Sequence, residues 1–97
     1  MRIEIPFHHS FFVKMALGNK IATTRSKQYG KIGDCFIFRE CKFRIIGVVK
    51  EKLKDIAKCL YREEGFESSQ EFKKFWLTIH HKWQPEKKYY LHIFKKV

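Results

Sequence analysis

Four polar side chains lie close together in the stretch GNKIATTR, residues 18–25: Lys20, Thr23, Thr24 and Arg25. Amide hydrolysis, or the binding of a base or phosphate, uses such groups. A threonine hydroxyl becomes a nucleophile only when a neighbouring base takes its proton. A lysine is such a base only if burial or an adjacent cation lowers its pKa, whereas a lysine that stays charged stabilises an oxyanion. The sequence leaves both roles of Lys20 open.

A cluster of acids in a basic chain supplies a second candidate group. Residues 63–71 contain no Lys or Arg but hold Glu63, Glu64, Glu67 and Glu71. Glu71 falls in the first turn of a predicted helix, where a carboxylate is favourable. Glu64 stands at the end of a predicted helix, where a carboxylate is unfavourable unless a cation meets it. The position of Glu64 therefore indicates either a cation partner or a functional role.

Apolar spacing and turn residues predict the elements that position these groups. Predicted strands cover residues 2–5, 20–25, 35–39, 42–51 and 87–96, and we expect the first and last to pair. Gly47 in the fourth of these strands indicates a bulge or a bend. Predicted helices cover residues 8–17 and a segment from Leu53 that stops at Gly65.

A last helix begins at the capping box formed by Ser68 and Glu71. Its apolar residues at helical spacing predict a core stripe and not an aromatic binding surface: Phe72, Phe75, Trp76 and Ile79. The order of the elements predicts the α+β class, with a small curled sheet or barrel against helices. Residues 1–97 are expected to form one domain.

The composition limits the partners. A net charge of +11 favours polyanions, nucleic acid above all, and equally fits a solvated Lys-rich surface of a protein from a hot environment. The sequence has no signal peptide and no apolar run approaching 18 residues, so we expect a cytoplasmic protein without a membrane partner. Three unpaired cysteines and the histidine spacing indicate no disulfide framework, no metal and no cofactor. The oligomeric state is left open.

Four segments in order resemble the ASCH domain, a branch of the PUA-like superfamily. They are GNKIATTR at 18–25, KIGDCF at 31–36, EEGFESSQEF at 63–72 and YYLHIF at 89–94. The family pattern is Gly-x-Lys-x-x-Thr-x-Arg, a Lys-x-Gly-Asp turn, Glu-Gly-Phe before the last helix, and a closing strand. The resemblance covers nearly the whole chain. It implies a small β-barrel with flanking helices and a general association with RNA.

Some compact bacterial members of that family remove the acetyl group from N(4)-acetylcytidine with a lysine, a threonine and a glutamate. Residue-by-residue matching implies that the corresponding catalytic residues are Lys20, Thr23 and Glu64. Glu63 is the alternate acid, because the segment before the last helix is one residue longer here. Thr24 supplies a second hydroxyl, which departs from the family pattern.

The leading prediction is RNA binding in a positively charged cleft that accepts a base or a phosphate. The predicted nucleic-acid contacts are Arg25, Lys27, Lys31, Lys82, Lys87 and Lys88. An amidohydrolase of N(4)-acetylcytidine or a related acylated base is the alternative, with a modified nucleoside as its partner. An RNA-cleaving enzyme is a third possibility that rests on the breadth of the family.

Overall fold

The structure is a computed structural model that describes residues 1–97. Its strands are β1 (Ala22–Arg25), β2 (Cys35–Phe38), β3 (Cys41–Lys52) and β4 (Lys88–Lys96). Its helices are α1 (Phe12–Ala16), which follows a 3-10 turn at His9–Phe11, α2 (Leu53–Cys59) and α3 (Ser69–His80). None of the helices is long and apolar enough to cross a bilayer. The α+β class is confirmed.

The four strands form one antiparallel sheet in the order β1-β4-β3-β2. A bulge between Ile45 and Gly47 shifts the register of β3 against β4. Since a bulge bends its strand and increases the local twist, the long strand β3 curls the sheet into half a barrel. The bulge that Gly47 predicts is thus found, and β1 is left as an edge strand.

Aromatic side chains fill the core on both sides of the curled sheet. On the concave side, Phe36 lies 5.4 Å from Phe43 and 5.3 Å from Phe94, between ring centroids. On the other side, α3 packs through Trp76, whose ring lies 5.0 Å from that of Tyr89 in β4. Rings at these separations gain stacking and edge-to-face energy beyond their buried area. The sheet is therefore held between two aromatic layers, and α3 is docked on one of them.

The start of the chain differs from the prediction. Residues 2–5 form no strand, and Arg2 makes only an isolated parallel bridge to Cys35. The expected pairing of the two chain ends is wrong because β4 already has β1 on one side and β3 on the other. A strand in the middle of a sheet has no free edge for a further partner.

The turn between α2 and α3 is bonded to the segment between α1 and β1. The carbonyl of Glu63 accepts hydrogen bonds from the amides of Ile21 (2.8 Å) and Ala22 (3.0 Å). The carbonyl of Gly65 accepts a hydrogen bond of 2.6 Å from Lys14 Nζ. Cations favour the carbonyl end of a helix or turn. These bonds bring Glu64 against the polar segment 40 residues earlier.

Gly65 is required for this approach, and its substitution tests it. Gly65 has φ +97, and a Cβ there would lie 3.0 Å from Lys20 Cβ, whereas Gly33 has φ +96 with nothing within 4 Å. Gly33→Ala should lower the free energy of unfolding by about 1 to 2 kcal/mol through backbone strain alone. Gly65→Ala should lower the free energy of unfolding by at least about 1 kcal/mol more than Gly33→Ala does, because the turn that contains Gly65 must also move away from Lys20. Urea unfolding measures both, and equal losses would contradict the close approach.

Candidate ligand-binding site

A cavity of about 260 Å³ lies along the free edge of β1, between that strand, the turn before α3 and α3 itself. One side, which we name the polar edge, is formed by Lys20, Thr23, Thr24, Arg25 and Glu64. Six aromatic side chains, which we name the aromatic wall, line the cavity as well: Phe11, Tyr29, Phe66, Phe72, Phe75 and Trp76. His8 and His80 also line the cavity. The fold thus joins residues 44 positions apart in one site.

Lys20 is held as an ammonium ion at the base of the polar edge. It is 2% exposed, and its Nζ donates to Glu64 Oε1 (3.1 Å), the Glu64 carbonyl (2.8 Å) and the Ala22 carbonyl (2.8 Å). A neutral amine has two hydrogens, so three acceptors at hydrogen-bond distance match the charged form. The ring of Phe11 lies 4.5 Å from Nζ and adds a cation–π contact.

The pKa of Lys20 is lowered by burial, which penalises the charged form. The carboxylate of Glu64 acts in the opposite direction, while the charges of Arg25 and Lys14 lower the pKa further. Burial is the largest of these effects. The expected cation partner of Glu64 is Lys20, and the pair lies away from bulk water. The predicted helix end at Glu64 is wrong, because α2 ends at Cys59 and Glu64 lies in the turn that follows.

Thr24 holds the second oxygen of the acid. Its Oγ1 donates a short hydrogen bond to Glu64 Oε2, while Oε1 faces Lys20. Both carboxylate oxygens are thus fixed within the chain. The threonine that contacts the acid is Thr24, which departs from the family pattern, and Thr23 makes no hydrogen bond to Glu64.

Thr23 and Arg25 lie on the opposite face of β1. Thr23 Oγ1 accepts a 3.1 Å hydrogen bond from Arg25 Nε, and Arg25 Nη2 donates to the Pro6 carbonyl at 2.6 Å. The guanidinium lies 5.0 Å from the ring of Phe7 and 5.6 Å from that of Tyr29. Burial lowers the pKa of Arg25. The Thr23 hydroxyl hydrogen has no acceptor within the chain and is available to a ligand.

No protein-family model matches the sequence, and no curated protein matches it either. Solved structures do match. The "hypothetical protein PH0355" superposes with a TM-score of 0.78 at 17% identity over 100% of both chains. The ASCH domain from Lactobacillus crispatus JV V101 superposes with a TM-score of 0.65 at 14% sequence identity, over 97% of this chain and 76% of that chain.

This chain has the fold of an ASCH domain. A third structure, EF3133 from Enterococcus faecalis V583 of the family DUF984, gives a TM-score of 0.59 at 18% identity, over 88% of this chain and 68% of that chain. The resemblance to the ASCH domain is confirmed for the fold.

The apolar stripe of α3 contributes to the site as well as to the core. All four residues of the predicted stripe line the cavity of this ASCH fold: Phe72, Phe75, Trp76 and Ile79. Phe72 and Trp76 are buried, whereas Ile79 is 48% exposed. The prediction that the stripe forms no binding surface is therefore too narrow. Helical spacing reports which residues share a face, but not whether a cavity separates that face from the sheet.

The predicted basic contacts divide into two groups. Lys27 Nζ lies 4.9 Å from the ring of Tyr29, which lines the cavity. The charge of Lys87 helps to lower the pKa of cavity-lining His80, although burial of His80 is the larger cause. Lys27 and Lys87 therefore lie near residues that line the cavity, without lining it themselves.

The other predicted lysines lie outside the cavity lining: Lys31, Lys82 and Lys88. All three are exposed, and Lys88 lies opposite Lys52 in β3. Glu63, the alternate acid, does not line the cavity either, and only its carbonyl binds β1. No cluster of three or more His, Cys, Asp or Glu side chains is placed to hold a metal ion.

Single substitutions of the buried pair should be costly. Lys20→Met or Glu64→Gln leaves a buried partner uncompensated, and each should lower the free energy of unfolding by about 3 to 5 kcal/mol. The double variant Lys20→Met/Glu64→Leu should lose less than the sum, since it removes both desolvated charges. Glu86, which is exposed beside Lys54 at 2.8 Å, provides the control, and Glu86→Gln should cost under about 1 kcal/mol.

Urea unfolding of the four variants measures this difference. Losses at Lys20 and Glu64 no larger than the loss at Glu86 would show that the pair is not buried as described.

Proposed function

We propose that this protein binds RNA and receives one unpaired base in the cavity beside β1. The observation that supports the proposal is that six aromatic rings and the five side chains of the polar edge line one cavity. Proteins recognise unpaired RNA bases by stacking them on aromatic side chains while polar groups contact the base edges. A single base is also in keeping with the volume, which lies just below the range of about 300 to 1,000 Å³ typical of ligand sites.

The charge around the cavity suits the RNA backbone. Lys27 and Lys87 lie near residues that line the cavity, and Arg25 lines it with guanidinium hydrogens that neither Thr23 nor Pro6 takes. The chain carries +11 overall, which attracts a polyanion from a distance. Phosphate contacts of this kind add affinity without sequence preference, so the cavity would supply the selectivity.

Salt dependence tests the backbone contacts. Affinity for a single-stranded RNA 8-mer should fall by about 0.7 log units per log unit of salt for each phosphate contacted. Lys87→Ala should flatten this slope by about one contact. The control is Lys42→Ala, because Lys42 is an equally exposed lysine that faces Ile37 in β2, the edge strand farthest from β1. Fluorescence anisotropy at several salt concentrations gives the slope of log affinity against log salt for each protein. An affinity that does not change with salt concentration would contradict the proposal.

Hydrolysis of N(4)-acetylcytidine is the second candidate function. The observation in its favour is that Lys20, Thr23 and Glu64 line one cavity. The three acceptors around Lys20 favour its role as a cation that stabilises an oxyanion. Glu64 is the carboxylate of the lining and would act as the base for water. Thr23, whose Oγ1 accepts a hydrogen bond from Arg25 Nε, would donate a hydrogen bond to the acyl oxygen. Alternatively, its Oγ1 would attack the acyl carbon while its proton passes to the departing N4 amine, and water would then hydrolyse the acyl-threonine.

Cytidine release from N(4)-acetylcytidine, followed by chromatography, tests this second function. If the protein is a hydrolase, Glu64→Gln should lower the rate by about 100-fold or more, since general base catalysis contributes about that much. Thr23→Ser should retain turnover and Thr23→Val should abolish it if the hydroxyl attacks the substrate. A modest loss in Thr23→Val would instead indicate a hydrogen-bonding role. No turnover by the wild-type protein would leave RNA binding alone.

A further inference from the structure

The main chain of β1 has two edges, and only one pairs within the sheet. Ile21 lies opposite Phe94 in the continued register of β1 and β4, and its carbonyl accepts from the Phe94 amide. Hydrogen-bonded and non-hydrogen-bonded pairs alternate along antiparallel strands. Thr23 and Arg25 therefore bond to β4, while the amides and carbonyls of Ala22 and Thr24 point away from it, towards the cavity side.

The outward groups of Ala22 are occupied, but those of Thr24 are not. The Ala22 amide donates to the Glu63 carbonyl and the Ala22 carbonyl accepts from Lys20 Nζ. Neither the N–H nor the C=O of Thr24 has a hydrogen-bond partner among the backbone and side-chain contacts of the chain. Yet Thr24 is only 7% exposed and lines the cavity. Buried backbone groups are nearly always paired, so this pair of groups calls for a partner from outside the chain.

The partner is small rather than a peptide strand. Addition of a strand to a sheet edge needs several alternating residues with free N–H and C=O groups. Here Ala22 is already covered and β1 ends at Arg25, so one residue is open. A single residue presents one donor and one acceptor side by side. The complementary ligand has an adjacent acceptor and donor on one planar edge, and its faces suit the aromatic wall.

We propose that the main-chain N–H and C=O of Thr24 read the hydrogen-bonding edge of a nucleobase in the cavity. This inference rests on the proposed function, because it names the part of the protein that contacts the base. Each nucleobase offers an adjacent donor and acceptor, as uracil does with its N3–H and a neighbouring carbonyl. The side chain of Thr24 stays on Glu64, so recognition falls to the backbone.

Two substitutions separate the backbone from the side chain. Thr24→Val and Thr24→Pro both remove the hydroxyl that holds Glu64, but only proline removes the N–H. Proline is tolerated at a strand edge where the N–H points away from the sheet. For the tightest of the four homopolymeric RNA 8-mers, Thr24→Pro should bind about tenfold more weakly than Thr24→Val. Equal affinity of the two folded variants would overturn the inference.

A measurement on the unchanged protein covers the case in which the proline variant does not fold. The chain has three threonines, so ¹⁵N-threonine labelling gives three amide signals, and Thr24→Val assigns that of Thr24. In the free protein, the Thr24 amide should exchange with solvent faster than that of Thr23, which bonds to β4. Millimolar uridine, cytidine, adenosine or guanosine should shift the Thr24 signal, and N3-methylation of uridine should abolish its effect.

The outcomes distinguish the inference from the proposed function. RNA that binds without moving the Thr24 amide overturns the inference and leaves RNA binding intact. In a second outcome, nucleosides shift the Thr24 amide signal, but the RNA 8-mers bind no more tightly than the nucleosides and their affinity does not depend on salt. This outcome supports the inference and overturns RNA binding. If no nucleoside shifts the Thr24 amide signal and no RNA 8-mer binds, both the inference and the proposed RNA binding are overturned.

Discussion

The structure depends on a buried ammonium ion that must keep all three of its hydrogens bonded. Lys20 lies out of bulk water, where an unpaired charge would cost several kcal/mol. Its acceptors are the Ala22 carbonyl and two oxygens of Glu64, which belong to segments far apart in the sequence. Satisfying this one group therefore fixes the turn before α3 against the start of β1. Gly65 permits the approach because a side chain there would meet Lys20.

The same bonds leave a preformed site. With Lys20 and Thr24 holding both oxygens of Glu64, the polar edge needs no ligand to keep its shape. Four polar groups beside the cavity keep unpaired hydrogens or lone pairs: the Thr23 hydroxyl, the main chain of Thr24, the Trp76 Nε1–H and the guanidinium of Arg25. A rigid site with few free polar groups binds without paying for the ordering of loops. Such a site favours recognition, and hydrolysis would require Glu64 to release at least one of its two donors.

An open strand edge is a hazard for a protein, because its free N–H and C=O groups attract other strands. The fold covers the first half of the β1 edge with the turn after α2, through Glu63 and Lys20. It encloses the second half in the cavity under α3. The part of the β1 edge that remains open is thus limited to Thr24, and α3 contributes three aromatic rings to the same cavity: Phe72, Phe75 and Trp76. This arrangement occurs within the fold that the chain shares with an ASCH domain at low sequence identity.

The sequence by itself determined the strands β1 to β4 within a few residues, the capped last helix, the bulge at Gly47 and the fold class. Those features follow from local periodicity, turn residues and a capping box, all encoded within a short window. The unfavourable position of Glu64 also indicated a cation partner from the sequence alone. Only the tertiary structure decided that Thr24 contacts Glu64 while Thr23 does not. It alone decided that the stripe of α3 lines a cavity, and that residues 2–5 form no strand. Each of these depends on which edge or face a distant segment covers, and that is set by packing between elements and by the open edge of β1.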